Sequence, residues 1–190
     1  MKDETKKLIE LVRGRTSQNR AASACLSQHQ QAIGQMFSLL RQELDSMVRV
    51  IFLLSIKDLK ERKRLIESTL NGEKWRVTTG KGKLREVTDR EMVDLAQQLK
   101  GWTKSVYKFG CAFIHLSNFH AVDTRDPLGR LSSQERSDVL SHMRSYHGGP
   151  ASDRPDLSEL SIYLPRVLEK ISTNLECYLV QLERNEQSEP

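Results

Sequence analysis

The sequence predicts an all-α protein, a single-domain helical bundle of about five to seven helices with an irregular basic loop near residues 73–87. Three observations carry that expectation. Glycine and proline number only 10 and 5 and they cluster, while the good helix formers Leu, Gln, Glu, Lys and Arg are abundant. Apolar residues recur at spacings of three and four over long stretches. Helix start signals precede two of those stretches, and glycine stop signals follow. At 190 residues, 37% hydrophobic and 29% charged, the chain suits one ordinary core and is too polar to be embedded in a membrane. The reading takes 1–190 as a single helical domain, with 1–20 an N-terminal extension, 21–185 the bundle and 186–190 a frayed tail.

Residues 3–13 read as a short helix with Leu8, Ile9, Leu11 and Val12 on its apolar side, ended by Gly14 and the polar run Arg15 to Arg20. From Ala21 a long helix follows: Cys25, His29, Ala32, Met36, Leu40, Leu44, Met47 and Ile51 form a stripe. Phe37, Val48, Phe52 and Leu54 widen it until the segment is nearly apolar all round, the mark of a helix central to a bundle. Arg41 and Glu43 within it are read as snorkelling to the surface, the alternative being a buried arginine paired with a carboxylate. Lys57 to Arg64 reads as a charged continuation of that helix, with Leu59, Leu65, Ile66 and Leu70 on its apolar side, closed by Asn71-Gly72. Thr78 to Lys83 then combines turn residues with positive charge but lacks the Walker spacing, so it reads as an exposed basic loop or a small hairpin.

Thr88 and Glu91 make a capping-box pair ahead of a helix to about Lys100. In the helix after Gly101, Trp102, Val106, Phe109, Phe113, Ser117 and His120 share one side and His115 points the other way. A loop from Asp123 to Gly129 leads to a second capping box, Ser132 with Glu135, and a helix stopped near His147 by Gly148-Gly149-Pro150. Leu157 to Leu164 reads as a short helix that Pro165 ends or kinks. The final helix carries Val167, Leu168, Ile171, Leu175, Tyr178, Leu179 and Leu182 in a stripe that suits core packing, or pairing with a second copy in a homodimer.

A net charge of +5 allows an acidic partner such as RNA and does not require one. Cys25, Cys111 and Cys177 are odd in number and widely spaced, which argues against a disulfide framework or a zinc site and leaves buried thiols as the simpler reading. No apolar signal core follows Met1-Lys2-Asp3-Glu4, and the most apolar run, Met47 to Ile56, is interrupted by Arg49 and too short to span a bilayer. The expectation is a cytoplasmic protein with no membrane contact.

Four of the five histidines, His115, His120, His142 and His147, fall between Trp102 and Gly149. Asp123 and Asp126 lie nearby, but no tight ligand spacing supports a metal site, so neither metal nor other cofactor is expected. On the helix from Ser132, Arg136, Leu140, Met143 and His147 fall in one stripe, with Arg144 to one side and His142 on the other flank. Arg136 and His142 are separated by five residues, an Arg-x4–6-His spacing. That motif in a compact helical chain, with Leu39-Leu40-Arg41-Gln42-Glu43-Leu44 and Phe113-Ile114-His115-Leu116-Ser117, resembles the HEPN-like superfamily over roughly residues 20–185. The resemblance implies a metal-independent endoribonuclease or RNA-binding protein of a bacterial phage-defence or toxin–antitoxin module. It would make Arg136 the phosphate stabiliser and His142 the acid/base. Arg144, His120 and the basic-loop residues Lys81, Lys83 and Arg85 are the candidates for contact with the substrate. Histidine near neutral pKa and a fixed guanidinium suit attack of a 2′-hydroxyl on phosphorus. The sequence departs from the family pattern at Ser137, where Asn, Asp or His is common, and a regular helix turns His142 away from Arg136, which brings in His147 as its substitute. The alternative is a non-enzymatic helical interaction subunit of a larger complex, its histidines structural. A neutralising or complex-forming protein partner fits either reading.

Overall fold

The computed structural model describes residues 3–29, 32–80, 82–114, 126–129 and 131–187. His115, His120, Asp123 and Lys81 lie outside them. The first helix, α1 (Asp3–Leu26), runs straight through Gly14 and the polar segment expected to end it. A lone glycine costs a helix only about 1 kcal/mol, and the polar residues after it have partners. Arg13 and Arg20 pair with Glu176 and Glu169, and Thr16 and Asn19 reach a buried carboxyl group. Residues 3–20, expected as an extension, are therefore part of the bundle, with Leu8, Ile9 and Val12 in its core. The break comes later, after Leu26, and α2 (Ile33–Ser55) begins beyond it.

Helix α2 is central, as its nearly all-round apolar sequence predicts, and packs against α1 and three later helices. Leu44, Met47 and Val48 are wholly buried. Arg41 and Glu43 do not snorkel: they are 7% and 0% exposed. The Glu43 carboxyl group accepts from Thr16 Oγ1 (2.8 Å), Asn19 Nδ2 (2.8 Å) and Ser172 Oγ (2.9 Å), tying three helices together. Arg41 donates to Asp89 (2.8 Å) and lies 4.4 Å over the Tyr107 ring, inside a network with Asp45 and Arg49. The buried charges that a helical wheel would have sent to solvent are held because neighbouring helices supply partners.

The charged continuation expected from Lys57 is a separate helix, α3 (Leu59–Leu70): residues 56–58 leave the helix and Asp58 caps the new one. The buried Arg62 donates to the carbonyls of Leu53 and Ile56 at the end of α2, where a cation meets the negative pole of that helix. The basic segment forms a small antiparallel hairpin, β1 (Arg76–Thr78) with β2 (Leu84–Glu86), pairing Val77 with Arg85. Trp75 before it is buried and donates to Thr69. Thr88 caps α4 (Asp89–Lys100), and Gly101, at φ 74°, turns the chain into α5 (Thr103–Ile114).

Helix α6 (Ser133–His147) has both ends as its sequence predicts: the Ser132/Glu135 capping box is formed and Gly148 closes it at φ 82°. After the single-turn α7 (Leu157–Ser161), Pro165 sits in the first turn of α8 (Leu164–Gln187), where its missing N–H costs nothing. The α8 stripe Leu164, Leu168, Ile171, Leu175, Leu179 and Leu182 is buried within the chain, mainly against α2. Among the described residues seven helices thus have twelve or more residues, within the expected number, and α7 is one added turn. Cys25 and Cys177 are exposed and Cys111 half-buried, so the expectation of three buried thiols is corrected. No helix among the described residues is long and apolar enough to cross a membrane.

The core has two parts. The large one runs along α2 and α8; a small one gathers Leu128, Leu140 and Leu160 under α6.

Candidate functional site: the two faces of helix α6

A regular helix advances about 1.5 Å and 100° per residue, so Arg136 and His147 share a stripe yet stand roughly 16 Å apart along the axis, and His142 is turned about 120° from Arg136. The structure keeps these groups apart for a second reason. Arg136 is spent: its guanidinium pairs with Asp126 and donates to the Asp153 carbonyl (2.9 Å). Arg144 is spent likewise, on the carbonyls of Pro150 (2.8 Å), Ala151 (3.1 Å) and Ser152 (3.0 Å) and on the Asp153 carboxylate (2.7 Å). Together they clasp the loop that follows α6 against the 126–129 turn. Neither guanidinium lies with the histidines.

His142 and His147 face the other way, into a cavity of about 100 Å³ at the seam between the two cores. Its walls come from α2 (Phe37, Leu40), α5 and the residue before it (Val106, Trp102), α6 (Val139, Met143) and α8 (Leu164, Val167, Ile171). Gly101 and Asp138 are exposed at its margin, and Lys170 is half-buried there. The His142 ring stands 4.4 Å from that of Tyr146 and 6.1 Å from that of Trp102, held between two aromatics. His147 is 8% exposed, and its carbonyl accepts from Arg166 (2.9 Å).

Burial pushes the His142 imidazole below its ordinary value, and the Lys170 ammonium adds to the shift. Burial does the same to His147, followed by the fields of His142, Lys170 and Arg166. Two neutral imidazoles can each donate one hydrogen bond and accept one. Lys170 lies 4.9 Å over the Tyr146 ring and pairs with no carboxylate among the described residues. The site is therefore an apolar pocket with a positive, hydrogen-bonding edge.

The remaining candidates stand elsewhere. Arg85 is bound on both nitrogens by Glu91 (2.7 and 2.6 Å), which also holds that carboxylate below its usual range. Lys83 is exposed on the hairpin, and no described hairpin residue lines the cavity. Among the described residues no three His, Cys, Asp or Glu side chains are placed to hold a metal ion. Lys170 and Tyr146 carry no local signal in the sequence, one being a lysine flanking an apolar stripe and the other a single tyrosine near the end of a mixed helix.

No protein-family model, curated protein or solved structure matches this chain.

Proposed function

We propose that this protein is a non-enzymatic helical binding protein whose site is the cavity under α6. The observation that carries the reading is the division of that helix. Its histidines line an apolar pocket, while Arg136, the cation an RNA-cleaving site would need, is consumed by Asp126 and the Asp153 carbonyl on another face. A phosphoryl oxygen would have to displace a partly buried ion pair to reach that guanidinium, at a cost of several kcal/mol. A pocket of this kind, mostly apolar with a few convergent polar groups, is the usual form of a small-molecule site.

Trp102 reports on the pocket directly, and a Trp75→Phe background leaves it the sole indole. Titration with toluene is expected to change Trp102 emission saturably, while mixed cellular RNA stays intact with the same protein in excess EDTA. RNA cleavage that survives EDTA and disappears in Arg136→Ala would overturn the proposal and restore the HEPN-like reading.

A further inference from the structure

Resting on that reading, we infer that the cavity takes a small monocarboxylate, its one-ring or short branched body among the apolar walls and its carboxylate at the edge formed by Lys170, His142 and His147. Size sets the first limit. A closed apolar cavity of about 150 Å³ accepts benzene, and this one, at about 100 Å³ but open at its margin, holds one ring with any substituent directed outward. A long acyl chain or a fused polycycle has no room.

Charge sets the second. Among the described residues, the walls supplied by α2 and α5 carry no ionisable side chain, and the charges at the cavity come from α6 and α8. Those are Lys170 and the two imidazoles, with Arg166 behind His147, against the single carboxylate of Asp138. Asp138 is exposed and already accepts from Gln134 Nε2 (2.8 Å). The balance is positive. Lys170 is the telling member: Lys6, Lys7 and Lys104 are exposed and pair with carboxylates, whereas this half-buried lysine rests over an aromatic face. An ammonium so placed gains a charge-assisted hydrogen bond when an anion arrives, and gives up only a cation–π contact worth little. His142 and His147 add two N–H donors that the neutral pocket leaves for a ligand.

The experiment is a titration of Trp102 emission, in the Trp75→Phe background at neutral pH, with phenylacetate and with its neutral isostere phenylacetamide. Phenylacetate is expected to bind about tenfold or more tightly, a difference of roughly 1.4 kcal/mol. Lys170→Met, a surface-margin change expected to leave the melting curve intact, should bring the two ligands within about twofold of each other. Asp138→Asn should tighten phenylacetate and leave phenylacetamide alone. Equal affinity for the two ligands in the parent protein overturns the inference and leaves the cavity reading standing, as does a preference that survives Lys170→Met. Binding of neither ligand, with toluene also silent, overturns both.

Discussion

Removing the Glu43 carboxyl group should cost this fold more than any other single polar change in the bundle. Glu43 is fully buried and accepts from Thr16 on α1, Asn19 on α1 and Ser172 on α8. In Glu43→Ala all three donors lose their acceptor, and Asn19 and Ser172 are themselves at most 4% exposed. Each orphaned buried donor costs about 1–3 kcal/mol. Allowing the hydroxyls to turn toward backbone carbonyls, the sum is about 3–5 kcal/mol. For a chain of this size each kcal/mol moves the melting midpoint about 2–4 °C, so a fall of about 6–20 °C is expected. Glu43→Gln keeps the volume and one acceptor, and Asn19 can turn its amide to receive the new N–H donors, so it should cost about 1 kcal/mol. Thermal melts of Glu43→Ala, Glu43→Gln, Ser172→Ala and the Glu43→Ala/Ser172→Ala pair test this. The serine change should lose most of its effect in the Glu43→Ala background. Additive effects, or an alanine variant within about 1 kcal/mol of the parent, would refute the argument that this hydrogen-bonded group joins the three helices.

Further outcomes follow from α6 and its ends. Arg136→Ala should lower stability by about 1–3 kcal/mol by freeing Asp126 and the Asp153 carbonyl, yet leave ligand titrations of the cavity unchanged, which melting and Trp102 emission can read separately. Gly148→Ala forces a side chain into the left-handed region at φ 82° and should cost about 1 kcal/mol in a denaturant midpoint. His142 and His147 are both held below the unfolded value of 6.5, facing Lys170 and Arg166, with Asp138 the one carboxylate at the cavity among the described residues. The unfolded chain therefore binds more protons just below that value. Their share of the stability is complete above about pH 6.5 and is lost as pH falls below it. In denaturant melts across that range, a His142→Gln/His147→Gln double variant should show a shallower decline than the parent; an identical decline would sink the assignment.

The helices were legible because their causes are local. The apolar stripes of α2 and α8, the Ser132/Glu135 box, the Gly148 stop and the hairpin option at 76–86 are all written within a few residues of where they act. Gly14 misled for the same reason: read locally it ends a helix, but Thr16, Asn19, Arg13 and Arg20 find partners on α2 and α8 that outweigh one glycine. The site was beyond local reading. Periodicity puts Arg136 and His147 on one stripe, but the clasp through Asp126 and Asp153 and the meeting of His142 with Trp102 and Lys170 join segments far apart in the chain. Sequence alone determined that this chain is helical and where α4 and α6 begin and end, because hydrogen bonding and capping act over four residues. Only the tertiary structure decided which charges are consumed and which face a cavity, because burial and pairing depend on what another helix brings to the same place.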